Sequence, residues 1–128
     1  MTEERHPDIE IYVKNRAVAD IEAWLNNCFE QLSDISHKGL IHEYQATLNG
    51  ESIPVLIHEK VVGKAWVSVW FNSDQTPWQK DLDCAVQASA DMETQIRCIA
   101  SGWNTGDEPD EWWKVENGNQ EQIIWRTE

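Results

Sequence analysis

At 128 residues, 41% of them hydrophobic and 26% charged, the chain suits one domain (1–128) with a sizeable core and is too apolar for extended disorder. Twenty-three acidic against ten basic residues give a formal net charge of −13, which excludes a nucleic-acid binder built on basic stripes and suits a cationic partner. Eleven acids and six bases fall in residues 1–64, and twelve and four in 65–128, so no acidic tail stands out.

Residues 1–8 form a polar lead-in without the apolar stretch of a signal peptide, and no apolar run reaches the length of a membrane span. Cys28, Cys84 and Cys98 are odd in number and make no CxxC pair, which suits small buried hydrophobes in a reducing compartment. The expectation is a cytoplasmic protein without a cofactor.

Residues 9–14, IEIYVK, alternate Ile9, Ile11 and Val13 with Glu10, Tyr12 and Lys14, the pattern of a half-buried strand. Residues 16–32 place Val18, Ile21, Trp24, Leu25, Cys28, Phe29 and Leu32 at three- and four-residue spacing, which predicts an amphipathic helix. Ser33, Asp34, Ser36 and Gly39 then read as a break, with His37 in a loop.

Residues 40–48 and 51–59 flank Asn49-Gly50, the pair that a two-residue type I′ hairpin favours because both turn residues need φ > 0. That turn sets Leu48 opposite Glu51, Ala46 opposite Ile53, Tyr44 opposite Val55 and His42 opposite Ile57. Pro54 cannot donate to a ladder, so its strand is expected to be an edge there.

Residues 64–72, KAWVSVWFN, put Val67, Val69 and Phe71 on one face and Trp66, Ser68 and Trp70 on the other. Both faces are apolar, so this strand is expected to be central or covered twice. Thr76-Pro77 suits a helix start, and a helix is predicted over 77–100, ending at Ser101-Gly102. Strands at 111–116 and 119–126 flank Asn117-Gly118, a register that pairs Lys114 with Glu121.

These elements read as a β-α-β-β unit used twice, over about 9–59 and 64–126. The units align at an offset of 57 between YVKN and VWFN and of 68 between the Asn-Gly pairs. The eleven extra residues lengthen the second helix and make the loop 101–110. The predicted fold is α+β: a mainly antiparallel sheet of about six strands, two helices on one face, and a pseudo-twofold axis.

No catalytic motif is present: no GxSxG, no phosphate-binding glycine loop, no HExxH and no paired Cys/His spacing. His42 and His58 fall on opposite faces of the first hairpin, so they cannot share an ion, and no metal site is expected. Asp107, Glu108, Asp110 and Glu111 cluster in or beside the 101–110 loop. Eight tryptophans are the richer signal. Trp24 and Trp78 fit the core stripes. Trp66 and Trp70, with Trp103 and Trp112 beside the acidic cluster, offer the large, rigid surface favoured at interfaces and in pockets.

The doubled strand-helix-strand-strand order resembles the topology of bacterial GyrI-like ligand-binding domains. The resemblance rests on element order over nearly the whole chain. It implies a cleft between the two units that holds cationic aromatic compounds on aromatic and acidic side chains.

Three functions are compatible with these features. The first is a non-enzymatic interaction or regulatory protein that offers an acidic, Trp-bearing surface to a basic protein partner or to itself. The expected binding residues are Trp66, Trp70, Trp103, Asp107, Glu108, Asp110, Glu111 and Trp112. The second is a GyrI-like domain for a small lipophilic cation, and the third is an enzyme using the 101–111 loop.

Overall fold

The alternating segments assemble into one sheet, described for residues 8–99 and 111–125 in a computed structural model. In chain order the elements are β1 (Ile9–Lys14), α1 (Val18–Cys28), β2 (Gln31–Lys38), β3 (Ile41–Leu48), β4 (Glu51–Val62), β5 (Trp66–Phe71), α2 (Asp81–Met92), β6 (Ile96–Ile99), β7 (Glu111–Glu116) and β8 (Asn119–Ile124). The strand order is β2-β3-β4-β5-β1-β6-β7-β8, and every neighbouring pair is antiparallel. The fold is α+β, with eight strands rather than about six. No helix among the described residues is long and apolar enough to cross a membrane.

Both hairpin registers follow the Asn-Gly turns. Leu48 pairs with Glu51 and Tyr44 with Val55, and Lys114 pairs with Glu121. Asn49 and Gly50 have φ of 53° and 79°, as do Asn117 and Gly118 in the second turn (53° and 79°), the positive values that a type I′ turn requires.

Of the two added strands, β2 occupies the expected break after the first helix and takes up that helix's last two residues, Gln31 and Leu32, while β6 lies within the expected second helix. α1 stops at Cys28 because Phe29 turns to extended backbone, at φ −121° and ψ 158°. Phe29 remains buried and Leu32 packs on the core, so the apolar spacing outlasts the helix. β2 follows as an edge strand, bulged between Asp34 and Ser36; such a bulge twists an edge away from foreign strands.

The second helix is also shorter than predicted. The Thr76 hydroxyl donates to the Trp78 carbonyl within a turn, at 2.8 Å, ahead of the helix. α2 begins at Asp81, where the Asp83 carboxylate accepts the Lys80 N–H at 3.2 Å. It ends at Glu93, in the left-handed region at φ 52°. Beyond it Ile96 and Cys98 alternate inward as β6.

The strand that carries Pro54 is internal to the sheet, but at Pro54 its ladder runs with β3 alone. The ladder between β4 and β5 starts one residue later, at Val55 and Phe71, and the Pro54 carbonyl accepts the Asn72 N–H at 3.0 Å. Its missing donor therefore falls where β5 has already ended. The outer meanders match in outline, but β5 adjoins β4 whereas β1 adjoins β6. Exchanging the two halves along the chain does not carry this strand order onto itself.

One face of the sheet is closed by the two helices. Ile9, Ile11 and Val13 of β1, Val69 and Phe71 of β5, and Ile53 and Ile57 of β4 meet Ile21, Trp24 and Leu25 of α1 and Cys84, Ala85 and Ala88 of α2. The Trp78 and Trp24 rings stack at 5.6 Å and 18°, and Trp78 lies 5.1 Å from the Phe71 ring. Both indole N–H groups find partners on α2: Trp24 donates to Asp91 and Trp78 to Gln87. Arg16 donates to the carbonyls of Met92 and Glu93, so a cation closes the C-terminus of α2.

Phe71 is fully buried at the centre of this aromatic group. Phe71→Ala is expected to lower unfolding free energy by about 3–5 kcal/mol in a urea titration.

Candidate binding surface

No helix among the described residues covers the other face of the sheet, and register determines which side chains meet there. Tyr12 lies beside Ser68 and Arg97, and Lys14 beside Trp66. Trp112 is aligned with Ile99 and Ile123. Trp125, just past β8, folds back over this region. Its ring centroid is 4.8 Å from that of Trp66, 4.9 Å from Trp112 and 5.5 Å from Tyr12. The Arg97 guanidinium sits between two of these rings, 4.7 Å from Trp66 and 4.5 Å from Trp125. Burial lowers the Arg97 pKa, while Glu116 works to raise it. Trp66, only 8% exposed, is thus covered within the chain, and Trp112 belongs to the same cluster.

Trp70 has a different setting. The register runs Glu43 to Leu56, Leu56 to Trp70 and Trp70 to Glu10, one row across four strands. Trp70 is half-buried, and its indole N–H donates to Asp8 at 2.6 Å. Leu56, Pro54, Glu43 and Asn72 join Trp70 around a depression of about 290 Å³. An aromatic and aliphatic floor between carboxylates can hold a cation by its ring face and its charge together.

Glu10 is under electrostatic pressure. Burial, then Asp81 and Asp8, raise its pKa above the ordinary glutamate value. The Asp81 carboxylate accepts the Glu10 N–H at 3.3 Å, which draws the acids together. A nearby positive charge would relieve this crowding.

A larger open groove of about 640 Å³ lies between the helices, lined by Arg16, Asp20, Trp24, Asp91 and Met92 among others. Its charged groups are already engaged: Arg16 on α2, Asp20 on the Ala17 N–H, and Asp91 on Trp24. It reads as the seam of two packed helices.

Of the residues expected from sequence, Trp66, Trp70 and Trp112 share the uncovered face, and Glu111 opens β7. Trp103, Asp107, Glu108 and Asp110 lie outside the described residues. The sequence reading missed Asp8, Glu10, Glu43 and Leu56, although strand alternation already put Glu10 on the Trp70 side. Acidic residues occur on both sides of the sheet. Glu10, Glu43, Glu116 and Glu121 share the open face with Lys14, Arg97 and Lys114, while Asp20, Glu22, Asp81, Asp83 and Asp91 belong to the helices.

Two substitutions check this description. Arg97→Ala is expected to cost about 1–2 kcal/mol in a urea titration, because it empties the space between two indoles. Glu10→Gln acts through linkage. A carboxyl whose folded pKa is raised contributes stability below the unfolded value and loses it as pH rises through the folded value. Glu10→Gln should therefore raise the thermal midpoint at pH 7 and leave it nearly unchanged at pH 4, as calorimetry would record.

Searches against protein-family profiles, curated proteins and solved structures find no match to this chain.

Proposed function

We propose that this is a non-enzymatic binding protein whose open sheet face takes a basic side chain of a protein partner at Trp70. The observation that carries the reading is the row Glu43, Leu56, Trp70, Glu10, which puts an indole and a leucine between two carboxylates. The Glu43 carboxylate has no hydrogen-bond or ion-pair partner among the described residues. Burial, then the charges of Asp81 and Asp8, raise the Glu10 pKa, and a bound cation would offset the charge repulsion among them. The net charge of −13 would steer a basic partner toward the molecule at low salt.

A small lipophilic cation is the second reading, favoured by the depression beside Trp70. It keeps the ligand chemistry that the GyrI-like resemblance implies without requiring a cleft between repeated units.

Calorimetric titration separates the two. An Arg-rich peptide of about ten residues is expected to bind, with affinity falling as salt rises. Trp70→Ala should abolish the heat, and Glu43→Gln should weaken binding by about three- to ten-fold, the scale of one partly exposed charge contact. Tetraphenylphosphonium binding more tightly than the peptide would select the small-cation reading. Sedimentation showing a dimer that Trp70→Ala dissociates would select self-association. Absence of all three effects rejects the proposal.

A further inference from the structure

β2 brings together a second group of side chains, on the helix-bearing side of the sheet. His37 of β2 lies directly across from His42 of β3, with their Nδ1 atoms 2.8 Å apart. His42 Nε2 is 2.8 Å from a Glu59 carboxylate oxygen. A carboxylate only accepts, so His42 Nε2 carries the proton of that bond. With both rings neutral, His42 Nδ1 accepts and His37 Nδ1 donates to it. His37 Nε2 is then left as a bare lone pair.

That lone pair faces more electron pairs. Asp34 Oδ2 is 3.8 Å from His37 Nε2. Ligand atoms of Glu22, Asp34 and His37 all lie within 4.8 Å of one another. Glu22 comes from α1 and is oriented from behind: the Tyr44 hydroxyl donates to its Oε2 at 2.5 Å. Tyr44 is buried, and its hydroxyl is the donor of that bond. Hydrogen bonds thus hold two of the three donors in place, one through an imidazole tautomer, as is usual around bound metals.

We propose that Glu22, Asp34 and His37 bind one divalent first-row transition-metal ion, with His42, Glu59 and Tyr44 orienting the ligands. Bonds of about 2.0–2.2 Å put donor atoms about 3–4 Å apart, so closure needs side-chain movements of about 1 Å. One imidazole nitrogen and two carboxylates suit Zn²⁺ or Ni²⁺ better than Mg²⁺, which prefers oxygen alone. Three protein ligands leave further positions to water. The ion would tie α1 to the edge strand β2 and stabilise the fold by mass action.

Zn²⁺ and Ni²⁺ are titrated into the full chain and followed by calorimetry and thermal unfolding. One saturable site per chain is expected, with Tm rising for either metal and not for Mg²⁺. Affinity should fall about ten-fold or more in His37→Ala and Asp34→Asn, and by about 10–100-fold in His42→Ala. Long-range ¹H–¹⁵N spectra of the metal-free wild type should show neutral His37 protonated at Nδ1 and neutral His42 at Nε2, with Zn²⁺ shifting His37 Nε2. Unchanged affinity in His37→Ala, or no saturable site, overturns the proposal. Neutral His37 protonated at Nε2 overturns it independently of how any variant folds.

Discussion

Strand β5 runs through the middle of the sheet with apolar side chains on both faces, and such a strand must be covered twice. Val67, Val69 and Phe71 are covered by the helices, through the stacked Trp24 and Trp78 rings. Trp66 is covered by the returning Trp125 with Arg97 between them. Trp70 receives only partial cover, from its cross-strand neighbours and its bond to Asp8. The candidate surface is the place where the double covering of one central strand is left unfinished.

That incompleteness has an electrostatic counterpart. Interior positions of this protein satisfy their polar atoms, and no orphaned buried side-chain nitrogen or oxygen occurs among the described residues. Beside Trp70, carboxylates gather instead, and burial, then Asp81 and Asp8, raise the Glu10 pKa. Strain of this sign is tolerated when it serves binding, since the group that destabilises the free protein is one a cationic ligand would use. The thiols behave differently: burial and then Asp91 push Cys28 up to about 12, and burial raises Cys84 and Cys98 as well. They act as packing atoms.

Legibility from sequence followed the strength of local rules. The Asn-Gly turns need φ > 0 and allow few alternatives, so both hairpin registers were readable to the residue. β2 was not, because QLSDISHK is an exposed edge strand with little apolar alternation and a bulge. β6 was hidden for the opposite reason: Ile96 and Ile99 fit a helical stripe as well as a strand. Missing β2 also hid the pairing of His37 with His42, since a histidine assigned to a loop has no cross-strand neighbour. Trp70 was legible as an aromatic on the second apolar face of a central strand. Its row partners Glu43 and Leu56 required the order of β3, β4 and β5 in space.

The strand order also has a consequence for how the chain reaches this state. The outer hairpins β3–β4 and β7–β8 close over two-residue turns, and such units form in about 1–10 μs. The middle of the sheet has no such shortcut. Ile9 must find Phe71, and Tyr12 must find Arg97, before the helices have a complete floor. Those closures span about half and two thirds of the sequence and carry the entropy of long loops, the feature that slows folding. Until they occur, both sides of β5 are open, and the tryptophans that later form the core and the aromatic cluster are a sticky surface in the nascent protein.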